Sequence, residues 1–518
     1  MRSLFFCTLL IVFISCQKEE AKNQIDFNHL SISDGIISGK LVGEDSIKTF
    51  MGIPFAAPPV GDLRWKAPQP VQPWEGVKET VENPASSIQN PPVPFFAWSE
   101  EFLIPPTPIS EDCLYLNVWT DAESPEEKRP VMVWIHGGGF SGGSGTVPLY
   151  DGEELAKKGI VVVTINYRLG ALGYLAHPEL SKESESGTSG NYGVLDQIAA
   201  LKWVNKNIAA FGGDPDNVTI AGQSAGSMSV NVLVGSPLAK GLFNKAIAQS
   251  GAMFNYDGGR ASRNKELAES AGLAFMEKMG AASVEELRNM PADSILAAGG
   301  GFWPYKDDHV IPVNFDESFK SGTANSIKLM TGWNADDNVS FGPAMTPAEF
   351  KSQAKEKYQD KAERYLELFP ANSPEELEVT RSTLGELMFG YQSYTWARIQ
   401  SELSPNSAYV YHFTRIPPGE PNYGAFHSAE FSYAFHTLNK WNRPFESVDY
   451  RIEDIMSQYW ANFVKTGNPN GEGLPTWPAY DPANPKVMEL GTEIKPMEPP
   501  HFEQVQFLQG VYFDGSKN

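Results

Sequence analysis

Short apolar runs alternate with helical stretches through the first half of the chain. Val131–Ile135, Ile160–Ile165, Val218–Ala221 and Ala246–Ala248 are almost unbroken in apolarity rather than apolar at every second position. That pattern is expected of strands buried on both faces of a parallel sheet. Asp151–Lys158, Asp196–Ala210 and Ala225–Val234 carry helical spacing between and after them. The alternation predicts an α/β architecture, a central and mainly parallel sheet with helices on both faces. From about Ala261 to Leu296, and from Pro347 to Leu403, the pattern turns helical and charged. These segments are expected to be helical insertions that cap the sheet and shape a pocket. The charged stretches inside the second, Lys355–Glu367 and Glu375–Glu386, read as solvated helix faces. A strand at Ile327–Thr331 follows the first insertion and one at Ala408–Phe413 follows the second. No linker composition marks a second domain, so residues 25–518 are expected to form one.

Candidate chemistry sits at the ends of these strands. Val218–Ala221 runs into Gly222-Gln223-Ser224-Ala225-Gly226, and a helix is expected from Ala225. Strand, Gly-x-Ser-x-Gly, helix is the layout of a nucleophile elbow. The turn must be sharp enough to push one hydroxyl out over the sheet. Side chains at positions 222 and 226 would collide across it, which glycine avoids. A serine hydroxyl needs a base within hydrogen-bond reach, an acid to hold the base's tautomer, and donors aimed at the oxyanion.

Val131–Ile135 runs into His136-Gly137-Gly138-Gly139-Phe140, where successive glycines leave backbone N–H groups open to approach. Such a loop supplies oxyanion donors. Gly138, Gly139 and Ala225 are assigned that role. A phosphate-binding loop would need a lysine or a G-x-G-x-x-G feeding a helix, and Phe140–Gly145 has neither. With chain order serine, acid, histidine, the base lies among His309, His412, His427, His436 and His501. His412 falls inside a strand. His427 sits just beyond that strand in a glycine-containing loop and is the best candidate, with His436 as the fallback. The acid is expected after Ile327–Thr331, where Asp336 and Asp337 are adjacent and pattern alone does not separate them.

Longer segments add a resemblance. Gly52–Trp65, Ser110–Val118, Asn166–Gly170, Gly190–Gln197, Phe211–Pro215, Trp460–Phe463 and Gly467–Asn470 resemble signatures of the type-B carboxylesterases. The likeness runs from about Asp34 to Phe513. It implies an α/β-hydrolase fold with helical insertions over the active site, and a carboxylic ester hydrolase working through a serine nucleophile and an acyl-enzyme. The family motif Gly-x-Asn-x-Asp-Glu-Gly, laid on Gly332–Asn338, places the acid at Asp337, where aspartate stands in for the usual glutamate. Gly-x-x-His-x-x-Glu falls on Gly424, His427 and Glu430. The implied catalytic set is therefore Ser224, Asp337 and His427.

Gln223 also departs from the glutamate usual before the serine. A carboxylate there would favour a charged imidazole, so glutamine is expected to keep the enzyme active to lower pH. The resemblance further implies buried ion pairs for Arg64 with Glu111 and for Arg168 with Asp196. It leaves Cys113 unpaired, because Ser86–Ser87 stands where relatives carry the partner cysteine.

Charge and composition narrow the partners. Lysine and arginine number 41 against 63 acidic residues, a net charge of −22, and no basic stripe exists; nucleic acid is not an expected partner. No cysteine or histidine spacing matches a metal motif, so neither metal nor other cofactor is expected. The partner implied is a small-molecule ester. Bulky acyl or aryl esters, of lipase or feruloyl-esterase type, are an alternative if Phe95, Phe96, Trp98, Phe302, Trp303 and Phe341 line the pocket instead of packing in the core. A non-catalytic surface binding protein is the reading from another class. Nothing in the sequence speaks to oligomeric state.

Residues 1–15 read as a signal peptide. Met1-Arg2-Ser3 is a short positive region, and the apolar stretch Leu4–Ile14 is shorter than the roughly 20 residues of a spanning helix. Phe13-Ile14-Ser15-Cys16 resembles a lipobox, with Cys16 as the lipidated first mature residue and 16–24 as a polar tether. The expectation is an exported outer-membrane lipoprotein, periplasmic or cell-surface facing, touching membrane through its lipid anchor alone. Cleavage to a soluble periplasmic protein is the alternative.

Overall fold

The computed structural model describes residues 24–255, 263–339, 345–404 and 407–515. The signal segment, Cys16, most of the tether and Phe341 lie outside the described residues.

Eleven strands form one sheet. We number them β1 Lys40–Val42, β2 Ile47–Pro54, β3 Tyr115–Thr120, β4 Arg129–Ile135, β5 Val161–Ile165, β6 Gly213–Gln223, β7 Lys245–Gln249, β8 Lys328–Asn334, β9 Ala408–Phe413, β10 Val487–Leu490 and β11 Ile494–Met497. Their order across the sheet is β11-β10-β9-β8-β7-β6-β4-β5-β3-β2-β1. Every pairing from β10 through to β5 is parallel. The pairings at the two edges are antiparallel.

The parallel centre is the part legible as apolar runs. The edge strands carry no such signal: they are short or half-polar, and β2 runs into Gly52–Trp65, a segment singled out above only by resemblance. β6 also begins earlier than its apolar run, at Gly213, through an irregular stretch where register with β4 shifts between Gly213 and Val218.

Alternate residues of each central strand enter two separate cores. Val131, Val133 and Ile135 pack on one face with Val161, Val163, Ile220 and Ala248. Met132 and Trp134 pack on the other with Val162, Ala221 and Ile247. Both faces are apolar, which is why the runs do not alternate.

Helices cover each face. On the first lie α1 Tyr192–Asn207, α2 Ala225–Gly235 and α5 Pro374–Leu403; on the second lie α6 Glu430–Phe435 and α7 Ser447–Thr466. α1 starts ahead of the expected Asp196 because Asn191, with φ of 25°, turns the chain into it. The first insertion contains α3 Lys265–Met279 followed by two short helices, Val284–Arg288 and Ala292–Ala298; the second contains α4 Pro347–Tyr358, a short helix Ala362–Leu368, and α5. α8 Phe502–Tyr512 closes the described chain.

α5 opens with a Ser373 cap that accepts from Glu376 N–H, and with Pro374 at its first position, both helix-start signals. The expected solvated face does not extend to the end of Glu375–Glu386. Glu386 is buried and accepts from Trp333 Nε1 at 2.9 Å. His412 and His501 lie 3.2 and 3.1 Å from its oxygens and hold the carboxyl down at about 2 against the opposing effect of burial.

The expected ion pairs are present. Arg168 donates to both oxygens of Asp196, at 2.8 and 2.7 Å, with 4% and 0% of the side chains exposed. Arg64 grips Glu111 and also donates to the carbonyls of Arg288 and Met290. This fastens the segment after α3 to the body of the sheet, and removing one partner would strand a buried charge. Cys113 is free and buried. Burial pushes its thiol up to about 12, so it is no nucleophile at neutral pH.

Candidate active site

β6 delivers Ser224 at its carboxyl end and α2 starts on the next residue. Ser224 has φ 57° and ψ −122°, a region L-residues rarely occupy and one that clusters at functional sites. Its N–H donates to Gln249 O on β7 at 2.9 Å, fixing the turn against the neighbouring strand. A Cβ on Gly222 would lie 2.5 Å from the Gly226 carbonyl carbon, and one on Gly226 would lie 2.0 Å from Ile135 O. The two glycines are required by the turn itself and by the end of β4 beside it.

β4 delivers the glycine loop to the same place. His136 is stacked on Tyr167 with ring centroids 4.4 Å apart. Burial lowers it to about 4, so it is neutral and structural. Gly138 and Gly139 take φ of 104° and 61°, turning their amides away from the strand direction. Among the described residues, the N–H groups of Gly138, Gly139 and Ala225 donate to no loop carbonyl. They are unspent donors beside Ser224.

β8 and β9 deliver the other two residues. Asp337 is 0% exposed, and its Oδ1 lies 2.5 Å from His427 Nδ1. Its Oδ2 accepts from Ser250 Oγ at 2.6 Å and from Asn334 N–H at 3.0 Å. Asp336 is exposed and points elsewhere, accepting from Ala425 N–H at 2.7 Å. The two aspartates that pattern could not separate thus divide the work: one faces the imidazole, the other ties down the loop that carries it.

Phe389 of α5 stacks on the His427 ring, centroids 4.7 Å apart at 18°, and Trp98 meets it edge-on at 6.3 Å. The second ring nitrogen, Nε2, has the Gln223 side-chain nitrogen as its hydrogen-bond partner at 3.1 Å. The remaining candidate histidines lie elsewhere. His412 and His501 flank Glu386, His436 pairs with Asp454 at 2.9 Å, and His309 borders a separate cavity.

Ser224, His427, Gly138 and Gly139 open onto one cavity of about 510 Å³, within the size range of small-molecule sites. Of the aromatic residues considered from sequence, Trp98 and Trp303 line it. Phe302 packs edge-on against Phe275 in the core, and Phe95 and Phe96 are exposed beside Trp98.

The profile of the carboxylesterase family matches residues 26–508. The fumonisin B1 esterase of Sphingopyxis macrogoltabida is 36% identical over 482 residues, covering 88% of this chain and 86% of its own. The chain belongs to the carboxylesterase family. The para-nitrobenzyl esterase of Bacillus subtilis (strain 168) is also 36% identical, over 91% of this chain and 97% of its own. A solved PNB esterase structure matches with a TM-score of 0.79 at 33% identity, covering 93% of this chain and 99% of that one. The protein is a serine carboxylic ester hydrolase with the α/β-hydrolase fold.

Several wall residues of this carboxylesterase carry no sequence signal. Met388 and Phe389 come from the middle of an insertion helix, and Phe102, Leu103 and Ile104 from the end of a short 3-10 turn and the chain after it. Only long-range packing brings them to the serine. Glu430 had a signal, its spacing from His427, but no role.

Glu430 is fully buried behind the pair, accepting from Gln249 Nε2 at 3.0 Å and Asn334 Nδ2 at 2.7 Å. Burial, then the Asp337 charge, raise its carboxyl to about 6. An acid whose folded value lies above its unfolded one holds its proton more tightly when folded. Ionising it costs stability, and that cost appears as pH rises from about 4.5 to about 6. Urea unfolding of the wild type against Glu430→Gln should show the wild type losing up to about 2 kcal/mol relative to the variant across that window. A difference independent of pH there would show that Glu430 does not titrate as described.

Proposed function

We propose that Ser224 attacks the ester carbonyl while His427 takes its proton, with Asp337 holding the imidazole tautomer and stabilising its charged form. The N–H groups of Gly138, Gly139 and Ala225 receive the oxyanion. His427 then protonates the leaving alcohol, and water repeats the sequence on the acyl-enzyme. The observation that carries this is the 2.5 Å contact between Asp337 and His427, opening on the cavity that holds a strained serine and unspent N–H donors.

The substrate class follows from the walls. Among the described residues lining the cavity, all but His427 are uncharged, and many are apolar or aromatic, Trp98, Trp303 and Phe389 among them. Among the described lining residues a carboxylate on the substrate would find no countercharge, and a buried unpaired charge is costly. The protein is therefore an esterase for neutral esters with an apolar or aryl group. A para-nitrobenzyl ester, named in the Bacillus relative, is of this kind. Matched panels of neutral and anionic aryl esters test this. kcat/KM should be at least about tenfold higher for the neutral members, the worth of one modest buried polar mismatch; equal rates across charge would sink the assignment.

The lipobox-like Phe13–Cys16 supports export and lipidation at Cys16, with the catalytic body held at the outer membrane on a short tether and facing the periplasm or the cell surface. Multiple acyl chains would anchor it stably. Metabolic labelling with a radiolabelled fatty acid should mark the wild type and not Cys16→Ser; equal labelling of both would exclude this anchor.

A further inference from the structure

Both ring nitrogens of His427 are engaged. Nδ1 faces a carboxylate oxygen at 2.5 Å, so it carries the hydrogen and Nε2 presents a lone pair. The atom on that lone pair is Gln223 Nε2, at 3.1 Å. An amide nitrogen donates and does not accept, so the contact is an N–H directed into the base. Gln223 is buried, 2% exposed, and its Oε1 lies toward Gly137, where a Cβ would come within 3.2 Å of it. The ring does not depend on this bond for its orientation. Asp337, the stacked Phe389 and the edge of Trp98 already hold it.

We propose that Gln223 is a positioning residue that occupies the basic nitrogen of His427 in the resting enzyme and yields it to Ser224 during acylation. This rests on the roles given above to Ser224, His427 and Asp337. An N–H donated into Nε2 stabilises the neutral ring and is forfeited when the ring takes the Ser224 proton. A carboxylate at position 223 serves only the protonated ring, and a hydrocarbon serves neither form. Glutamine, with its N–H on Nε2, serves the neutral ring that is ready to act as base.

The other charged groups facing the ring are Asp337, from the loop after β8, and Glu430 on α6. His136, from the glycine loop, is kept neutral by burial.

The test compares wild type, Gln223→Met, Gln223→Glu and Ser224→Ala. The readouts are kcat/KM for a neutral aryl ester and the rate of labelling by an uncharged fluorophosphonate, each across pH 5 to 9 in outline (about 5–9, spanning the range where imidazole titrates). With Gln223→Met the acidic limb should move to higher pH by about half a unit to one unit, the equivalent of one ordinary hydrogen bond. With Gln223→Glu it should move further in the same direction. A residue that merely packs would leave the limb in place. Folded variants, judged by near-ultraviolet circular dichroism, whose limbs coincide with the wild type overturn the proposal. If the methionine variant does not fold, the glutamate variant, which keeps the shape, decides alone. Ser224→Ala that still takes the label overturns the nucleophile assignment and this inference with it. Ser224→Ala without label, alongside unmoved limbs, overturns the role of Gln223 only.

Discussion

Ser224→Ala should lower kcat for a neutral aryl ester by about 10⁴-fold or more while leaving KM within a few-fold. The expectation is large because the serine hydroxyls around the elbow are already committed to other acceptors. Ser227 Oγ donates to Gly251 O at 2.6 Å, Ser229 Oγ to Ala225 O at 2.9 Å, and Ser250 Oγ to Asp337. Ser141, on the cavity wall, donates to Gly138 O at 3.3 Å and lies in the glycine loop rather than on the elbow.

KM should hold because the walls and the oxyanion donors stay in place, and those donors with binding alone leave a residual rate well above that of water. The fold should hold as well. The left-handed backbone at 224 is imposed by β6, β7 and α2, and alanine meets the same strain there as serine. Urea midpoints check the fold, and burst kinetics with a para-nitrophenyl ester check the acyl-enzyme. A variant that keeps more than about a hundredth of the wild-type kcat would place the nucleophile elsewhere.

The parts of this site that were legible in sequence are those whose chemistry dictates residue type over a few positions. The elbow needs glycine where backbone from β4 and α2 closes in, and the oxyanion loop needs glycine where amides must be bare. Both show as short motifs after apolar runs. His427 followed from its place beyond β9. Asp336 and Asp337 were not separable by pattern, because which of two adjacent loop carboxylates turns inward depends on Ser250 and Asn334, residues of the neighbouring β7–β8 region. The family motif points to Asp337, and it is the one of the two whose oxygen lies 2.5 Å from His427 Nδ1.

The walls were illegible for a different reason. Phe389 reaches the imidazole from a helix whose first turns are charged and exposed, and the charge pattern there spoke for solvent. Glu386, in the same helix, is buried only because Trp333, His412 and His501 converge on it. The loss of a charge at Gln223 was visible, but the hydrogen bond it makes was not. Glu430, moreover, keeps a buried carboxyl near the imidazole. Gln223 and Glu430 therefore both bear on the charge state of the imidazole.

Asp337→Asn should lower kcat by about 10⁴-fold, the size of the tautomer error in a serine protease triad, and the hydrogen bonds here say why. Oδ2 of Asp337 accepts from two donors, Ser250 Oγ and Asn334 N–H. In asparagine only the carbonyl oxygen can take that place, so the NH₂ is forced toward His427 Nδ1. An NH₂ there requires a lone pair on Nδ1, which moves the ring hydrogen to Nε2 and removes the base. Labelling by a fluorophosphonate should slow in parallel, while the cavity and KM for the neutral ester stay near wild type.

Asp337→Glu, which restores the residue usual in the family, should not be a silent change. With Oδ1 already 2.5 Å from the ring and the side chain 0% exposed, one more methylene has no free volume. Overpacking of this kind costs about 1–3 kcal/mol. The glutamate variant should be less stable to urea by that amount and slower by about 10- to 100-fold, as a displaced imidazole meets Ser224 at a poorer angle. Wild-type turnover from Asp337→Asn would remove Asp337 from the mechanism. Wild-type stability and turnover from Asp337→Glu would show that the loop after β8 has slack where the contacts here leave none.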